Sequence, residues 1–283
     1  MRLLRYGLPG RESPGLLDPA GHVRSLSGIV EDLRGDALSP ASLARLAALD
    51  PMRLPIVRGP LRYGPCVAGT GKFICIGLNY ADHAKETGAQ VPSEPVIFMK
   101  ATSAIQGPDD DVWIPRGSTK TDWEVELGVV IGSRAKHASV EKALDHVAGY
   151  CVVHDLSERE FQLERKGQWS KGKGCDTFGP IGPWLVTKDE VPDPQKLHLW
   201  LEVDGARMQD GNTGTMVYGV AFLVSYISRF MSLLPGDVIS TGTPPGVGLA
   251  RNPPVFLRAG QSVRLGIDGL GVQSQRIVPE PDA

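Results

Sequence analysis

The 283-residue chain has no pair of cysteines at CxxC spacing. Cys66, Cys75, Cys151 and Cys175 are scattered, and no His/Cys group stands at zinc-ligand spacing. This excludes a zinc ribbon and a thioredoxin-type redox motif, and points to reduced thiols in a cytoplasmic protein. There is no Lys/Arg-rich run and no basic patch interleaved with aromatics. Thirty basic residues against thirty-two acidic ones leave a formal net charge of -2, so nothing favours nucleic acid or an acidic membrane as partner. Long apolar runs are also missing. The N-terminal MRLLRYGLPG lacks the apolar stretch of a signal peptide, and no segment reaches membrane-spanning length. GxSxG and GxGxxG are absent, and the glycine-rich GTPPGVG has no lysine where a phosphate-binding loop needs one. Aromatic residues are only 6 % of the chain. Neither an internal repeat nor a low-complexity tract is present.

What is abundant is glycine and proline, 34 and 23 residues, which suits short strands and many turns rather than a helical bundle. Residues 1–65 read as a small N-terminal domain. RLLRY is an expected strand, GLLDPAGHVRSLS a hairpin turning at Asp18-Pro19-Ala20-Gly21, and SPASLARLAALD a helix capped by Ser39 with Leu43, Leu46 and Leu49 on one face. The proline-punctuated PMRLPIVRGPLRYGP then reads as a linker. From residue 66 to 283 strands dominate without regular helix alternation: KFICIGLNY, PVIFMK, DWEVELGVVIG, YCVVHDL, PWLVT, LHLWLEVDG, DVISTG and a closing antiparallel pair in VRLGIDGLGVQSQRIV. Helices are expected at YADHAKETG, VEKALDHVAGY and GVAFLVSYISRFMSL.

Four stretches carry residues able to do chemistry. In TDWEVELGVVIG, Asp122, Glu124 and Glu126 alternate with apolar residues, placing three carboxylates on one strand face. Such a row is either a solvated edge or a site for a hard cation, which relieves the repulsion; Asp155, at the end of YCVV, is a further ligand candidate. His83 and Glu86 stand at helical i, i+3 spacing, as a chance surface pair or as an imidazole made basic by a carboxylate. Lys171 and Lys173 lie in the glycine-rich GQWSKGKGCDTFGPIGP, either in a flexible loop or in reach of an anion. STGTPPGVG is either a plain turn or a set of hydroxyls and N–H groups for a carboxylate.

Taken together and in this order, these pieces resemble the fumarylacetoacetate hydrolase family. CIGLNYADHAKETG resembles its flap, and VIFMKATSAIQGP, DWEVELGVVIG, GYCVVHDLSEREFQ, GKGCDTFGPIGPWLVT and STGTPPGVG resemble its core motifs, over roughly Lys72 to Val278. The resemblance implies a mixed, β-rich fold: a largely antiparallel β-roll with a few outer helices and a small N-terminal domain, in a homodimer. It places Glu124, Glu126 and Asp155 on the ligands of Mg²⁺ or Mn²⁺ and leaves Asp122 outside that set. It assigns His83 and Glu86 to a catalytic dyad, Lys173 to the active-site lysine, Arg159 and Gln162 to substrate contacts, and Thr241 with its turn to a substrate carboxylate. No thiol chemistry attaches to Cys175.

The chemistry so implied is metal-dependent hydrolysis of a C–C bond in a 2,4-dioxo acid, releasing pyruvate. The substrate expected is an acylpyruvate-like keto acid, with 2,4-diketo-3-deoxy-L-fuconate as an example. Related members are ureidoglycolate lyases and hydroxyheptadienedioate isomerases. Lyase, decarboxylase and isomerase reactions use the same kind of enolate-stabilising site, and a metal-stabilised protein that only binds a dicarboxylate is the non-enzymatic alternative.

Overall fold

The computed structural model describes every residue except Thr87, Ala89 and Ala283. Thr87 belongs to the flap motif CIGLNYADHAKETG and Ala283 ends the expected C-terminal domain, so those parts lie outside the described residues. In chain order the elements are β1 (Arg2–Tyr6), β2 (Ser13–Leu17), β3 (Val23–Ser25), α1 (Pro40–Ala47), β4 (Phe73–Gly77), α2 (Ala81–Glu86), β5 (Val96–Lys100), β6 (Ile105–Gln106), β7 (Val112–Ile114), β8 (Thr121–Asp122) and β9 (Val125–Ile131). Next come α3 (Val140–Ala143), β10 (Val147–His154), β11 (Ser157–Glu158), α4 (Ser170–Lys173), β12 (Gly179–Thr187), β13 (His198–Val203), β14 (Ala206–Asn212), α5 (Val220–Phe230), β15 (Val238–Ser240), β16 (Ser262–Ile267) and β17 (Gly271–Pro279).

The main sheet runs β3-β2-β1-β12-β10-β9-β15-β4-β5, with β6 added beside β12; a second sheet runs β14-β13-β16-β17-β7. Pairing is antiparallel except for β6 with β12, β4 with β15 and β7 with β17. The result is the expected set of mixed sheets with few helices, and among the described residues no sheet closes into a barrel. No helix among the described residues is long and apolar enough to cross a membrane.

β9 shows how sequence alternation becomes layering. Every residue of the strand is buried. Val125, Leu127, Val129 and Ile131 enter one core cluster while Val130 enters the other, on the opposite face. β10 divides likewise, with Tyr150 and Val152 on one side and Cys151 and Val153 on the other. A central strand covered on both faces has no solvated side, so the acidic residues of TDWEVELGVVIG are not an exposed edge.

The N-terminal expectations of a strand, a hairpin and a capped helix match β1, β2–β3 and α1. Asp18 accepts from the N–H groups of Ala20 and His22, both at 2.9 Å, and pairs with Arg24 at 2.7 Å, which fixes the hairpin turn. Ser39 accepts from Ser42 N–H at 3.2 Å as the cap of α1. β1 pairs with β12, so these strands continue the main sheet, and Leu3, Leu16 and Leu46 share a core cluster with Phe73 and Val130.

Two local expectations change. VEKALDHVAGY is helical only to Ala143, with a tight turn over Leu144–His146; from Val147 it is strand. Val147 there pairs with Ile131 and Gly149 with Thr187, so sheet pairing outweighs helical spacing. The carboxylate row is also broken: β8 ends at Asp122 and β9 begins at Val125, and although Arg159 joins both, Asp122 turns to the N–H groups of Gly248 and Leu249 while Glu124 turns to Lys173.

At the end of β10, His154 is fully buried and its Nδ1 lies 3.0 Å from Gln275 Oε1. Gln275 Nε2 donates to Pro108 O and Gln273 Oε1. The amide orientation is thereby settled, and Nδ1 must carry the proton of a neutral ring. Burial pushes His154 down to about 4. Its folded-state value lies below its unfolded one, so its contribution is complete above pH 6.5 and is lost as pH falls toward 4, by roughly 3 kcal/mol in all. In urea titrations between pH 6.5 and 4.5, His154→Asn, which keeps a donor for Gln275, should lose stability with a shallower slope than wild type. Parallel slopes would show that the ring already titrates normally.

Candidate active site

The antiparallel register of β9 and β10 sets His154 opposite Val125 and Val153 opposite Glu126. One step beyond the paired strands, Asp155 N–H donates to Glu124 O at 2.9 Å. The backbone thus fixes the distance between two carboxylate-bearing residues. Glu126 projects from β9 toward β15, where Ser240 Oγ and Gly242 N–H donate to its Oε2 at 2.5 and 2.8 Å. Oxygens from Glu124, Glu126 and Asp155 come within 4.8 Å of one another, all from buried residues.

Cations hold this cluster together. Lys173 Nζ is 2.7 Å from both Glu124 Oε2 and Asp155 Oδ2. Lys100 Nζ is 2.6 Å from Asp155 Oδ1 and 2.9 Å from Leu156 O. Arg159 bridges Glu124 at 2.7 Å and Asp122 at 2.8 Å. Asp122 also accepts from the N–H groups of Gly248 and Leu249 at 2.7 and 3.0 Å, so it holds Arg159 and the chain after the GTPPGVG turn rather than joining the three-carboxylate cluster. Burial alone would raise Glu124, but Lys173, Arg159 and His83 hold it well below the usual carboxylate range. Glu126 goes the other way: burial, then Asp155 and Glu124, push it well above that range. Four carboxylates face three fixed cations, leaving one net negative charge.

These residues fit a hard divalent cation. The donors are all oxygens, and the least compensated carboxylate, Glu126, is the one that a cation would relieve. A divalent ion would turn the local charge to one net positive, which suits an anionic ligand.

His83 and Glu86 lie on α2 with Nδ1 2.8 Å from Glu86 Oε1. Glu86 also accepts from Gly246 N–H at 3.0 Å, tying α2 to the GTPPGVG turn. His83 is 7 % exposed and lines a cavity of about 230 Å³ together with Glu124, Glu126, Arg159, Gln162 and Lys173. Two of the three clustered carboxylates and the imidazole therefore face the same small space. A model of the fumarylacetoacetate (FAA) hydrolase C-terminal family matches residues 72–278. The chain belongs to the fumarylacetoacetate hydrolase family.

Relatives agree with this assignment. A Burkholderia cenocepacia (strain HI2424) protein with a provisional hydrolase name is 67 % identical over 277 residues, 98 % of each chain. Among solved structures, a fumarylacetoacetate hydrolase from the psychrophile Exiguobacterium antarcticum has TM-score 0.88 at 32 % identity, covering 99 % of this chain and all of that one. A 2-hydroxyhepta-2,4-diene-1,7-dioate isomerase from Mycobacterium marinum has TM-score 0.76 at 31 % identity over the whole of both chains.

Within this family member, two of the residues considered as substrate contacts, Thr241 and Lys171, lie away from the cavity. Thr241 is fully buried; its hydroxyl donates to Leu127 O at 2.9 Å and its N–H to the same carbonyl at 3.1 Å. That leaves Thr243, not Thr241, lining the cavity from this turn. Of the two loop lysines, Lys171 donates to Arg165 O at 3.0 Å, outside the cavity. Cys175 is pushed up to about 11 by burial, which leaves it little thiolate near neutrality. Sequence reading missed Lys100, whose signal was a charge closing the apolar PVIFMK. Ser240 stands in STGTPPGVG, a stretch whose hydroxyls and N–H groups suit a carboxylate; that the carboxylate is Glu126 depends on β15 lying beside β9.

Burial, then Asp155 and Glu124, raise Glu126 well above the usual carboxylate range, so a cation that binds its ionised form favours loss of the proton. Titration calorimetry with Mg²⁺ in two buffers of different ionisation heat should show proton release, with binding tightening as pH rises. Glu126→Gln should release none. Equal apparent heats in both buffers for wild type would mean that Glu126 is already ionised.

Proposed function

We propose that this family member is a divalent-metal-dependent hydrolase that cleaves the C3–C4 bond of a 2,4-dioxo acid and releases pyruvate. The observation carrying this reading is the shared cavity: an imidazole backed by a carboxylate lines the same space as Glu124 and Glu126, two of three clustered buried carboxylates. A bound Mg²⁺ or Mn²⁺, held by Glu124, Glu126 and Asp155, would supply a Lewis acid for the 2-oxo acid end.

The chain's own groups supply the rest. Glu86 accepts the His83 Nδ1 proton, leaving Nε2 as the base that takes a proton from water. The hydroxide so formed adds to the C4 carbonyl. Collapse of the adduct breaks C3–C4; the carboxylic acid departs and the electron pair stays on C3 as the enolate of pyruvate. Lys173, raised above its usual range because Asp155 and Glu124 outweigh burial, remains an ammonium and stabilises that charge. Protonation at C3 completes pyruvate. Arg159 and Gln162, 3.1 Å apart, are placed to orient the substrate, and the homodimer that the family resemblance implies belongs to the same reading.

Isomerisation is the second reading, favoured by the likeness to the Mycobacterium marinum isomerase. It needs proton transfer at carbon but no hydrolytic water. Pyruvate release from acetylpyruvate and oxaloacetate, and glyoxylate release from ureidoglycolate, with Mg²⁺, Mn²⁺ or EDTA, separate the readings. Acetylpyruvate should turn over only with metal, and His83→Ala should lower kcat by about 10²-fold or more. Turnover of oxaloacetate or ureidoglycolate alone, unaffected by His83→Ala, would replace hydrolysis with a lyase or decarboxylase. Binding of a keto acid with no turnover of any compound, isomerisation included, would leave a binding protein.

A further inference from the structure

The same cavity has two unlike ends. Its charged floor is deep: Glu126 is 1 % exposed and Glu124 5 %. Apart from Gly77, His83, Gln162 and Thr243, its remaining wall is built from Ile76, Leu78, Phe98, Leu163, Trp169 and Leu249. These side chains bear no charge, hydroxyl or amide; the indole N–H of Trp169 is their one polar group. Leu163, 45 % exposed, marks the mouth of the cavity. Phe98 joins the two ends. Its ring lies 5.2 Å from Lys173 Nζ on the floor side and meets Trp169 edge-on at 5.3 Å on the other.

The backbone makes room for this wall. A Cβ on Gly77 would sit 2.5 Å from Cζ3 of Trp169, so the indole can lie over β4 only because residue 77 is glycine. Leu78 has a φ of 55°, in the left-handed region that a leucine avoids. Strain held at a cavity-lining position is characteristic of a binding site.

We infer that the substrate's distal half, the acyl group beyond C4, is apolar: an alkyl or aryl acylpyruvate rather than a diacid or a polyhydroxylated sugar acid. This rests on the reading of the charged floor as the seat of the 2-oxo acid end. The two permanently charged cations lining the cavity, Arg159 and Lys173, are both bonded to floor carboxylates, so among the described lining residues a second carboxylate at the mouth finds no uncommitted cation. A polyol chain would give up water for a mostly apolar wall, in which Thr243 already donates its hydroxyl to Val125 O and Gln162 already accepts from Arg159. This turns the reading away from polyhydroxylated sugar acids, and away from a seven-carbon diacid like that in the Mycobacterium marinum isomerase's name; 2,4-diketo-3-deoxy-L-fuconate, whose tail beyond C4 is a 1-hydroxyethyl group, is intermediate.

The test uses 2,4-dioxo acids sharing one head, with propyl, phenyl, carboxymethyl or trihydroxypropyl tails, assayed as the Mg²⁺-loaded enzyme. The propyl or phenyl tail should exceed the carboxymethyl and trihydroxypropyl tails in kcat/KM by about tenfold or more. A carboxymethyl or trihydroxypropyl tail at or above the apolar ones would overturn the inference. Calorimetric binding of 4-phenyl-2-oxobutanoate against 2-oxoglutarate tests the wall without turnover. Tighter binding of the phenyl compound supports it even if no tail yields pyruvate, in which case C–C hydrolysis alone falls; tighter 2-oxoglutarate counts against the wall itself. Leu163→Arg, at a half-exposed position that folding tolerates, should shift preference toward the carboxymethyl tail by about tenfold. An unchanged ranking would remove Leu163, and with it the apolar mouth, from the tail's path.

Discussion

Mutual repulsion among Glu124, Glu126 and Asp155 is the constraint on which the site depends. Ionised carboxylates this close and this buried are strongly unfavourable unless compensated. The fold answers with Lys173 across two of them, Lys100 behind the third residue, and Arg159 tying Glu124 to Asp122. Compensation is uneven. Glu124 has two close cations, whereas Glu126 has a hydroxyl and a backbone N–H. The protein therefore holds one carboxylate poised for a cation and the others already tamed. Removing a single member of such a buried network leaves an unpaired charge, typically about 3–5 kcal/mol of destabilisation, so the network is at once a structural and a functional element.

The sheets exist, in this respect, to keep that network rigid. β9 is held between β10 and β15 with no exposed residue, and the two neighbours bring Asp155 and Ser240 to its acidic end. α2 adds the imidazole from outside the sheet and is fastened through Glu86 to the turn after β15. Chemistry thus sits where strand ends, one short helix and one turn converge, the least regular part of an otherwise regular core.

The cavity separates two kinds of recognition. In the proposed reading, buried charge at the floor takes an anionic, chelating head and apolar surface at the mouth takes the tail attached to that head. The floor is built from residues in the family motifs, whereas Leu163, Trp169 and Leu249 of the apolar wall lie outside them. Two family members can therefore share a reaction type and differ in substrate.

The linear order of residues determined much of this by itself. Alternation in DWEVELGVVIG, the DPAG turn and the Ser39 cap specify strands, hairpin and helix, because they depend on neighbours a few positions away. The motif order also placed Glu124, Glu126, Asp155, His83, Glu86 and Lys173 in one site. Only the tertiary structure decided where VEKALDHVAGY stops being helix, since its strand exists through pairing with β9 and β12. It also decided that Asp122 holds Arg159, that Thr241 spends its hydroxyl on Leu127, that Lys100 joins the cluster, and that Trp169 lies over Gly77. These contacts span from 37 residues, for Asp122 and Arg159, to 114, for Thr241 and Leu127. Local pattern fixes which way a side chain points along its own strand; what it meets there is set by the register of strands far away in the chain.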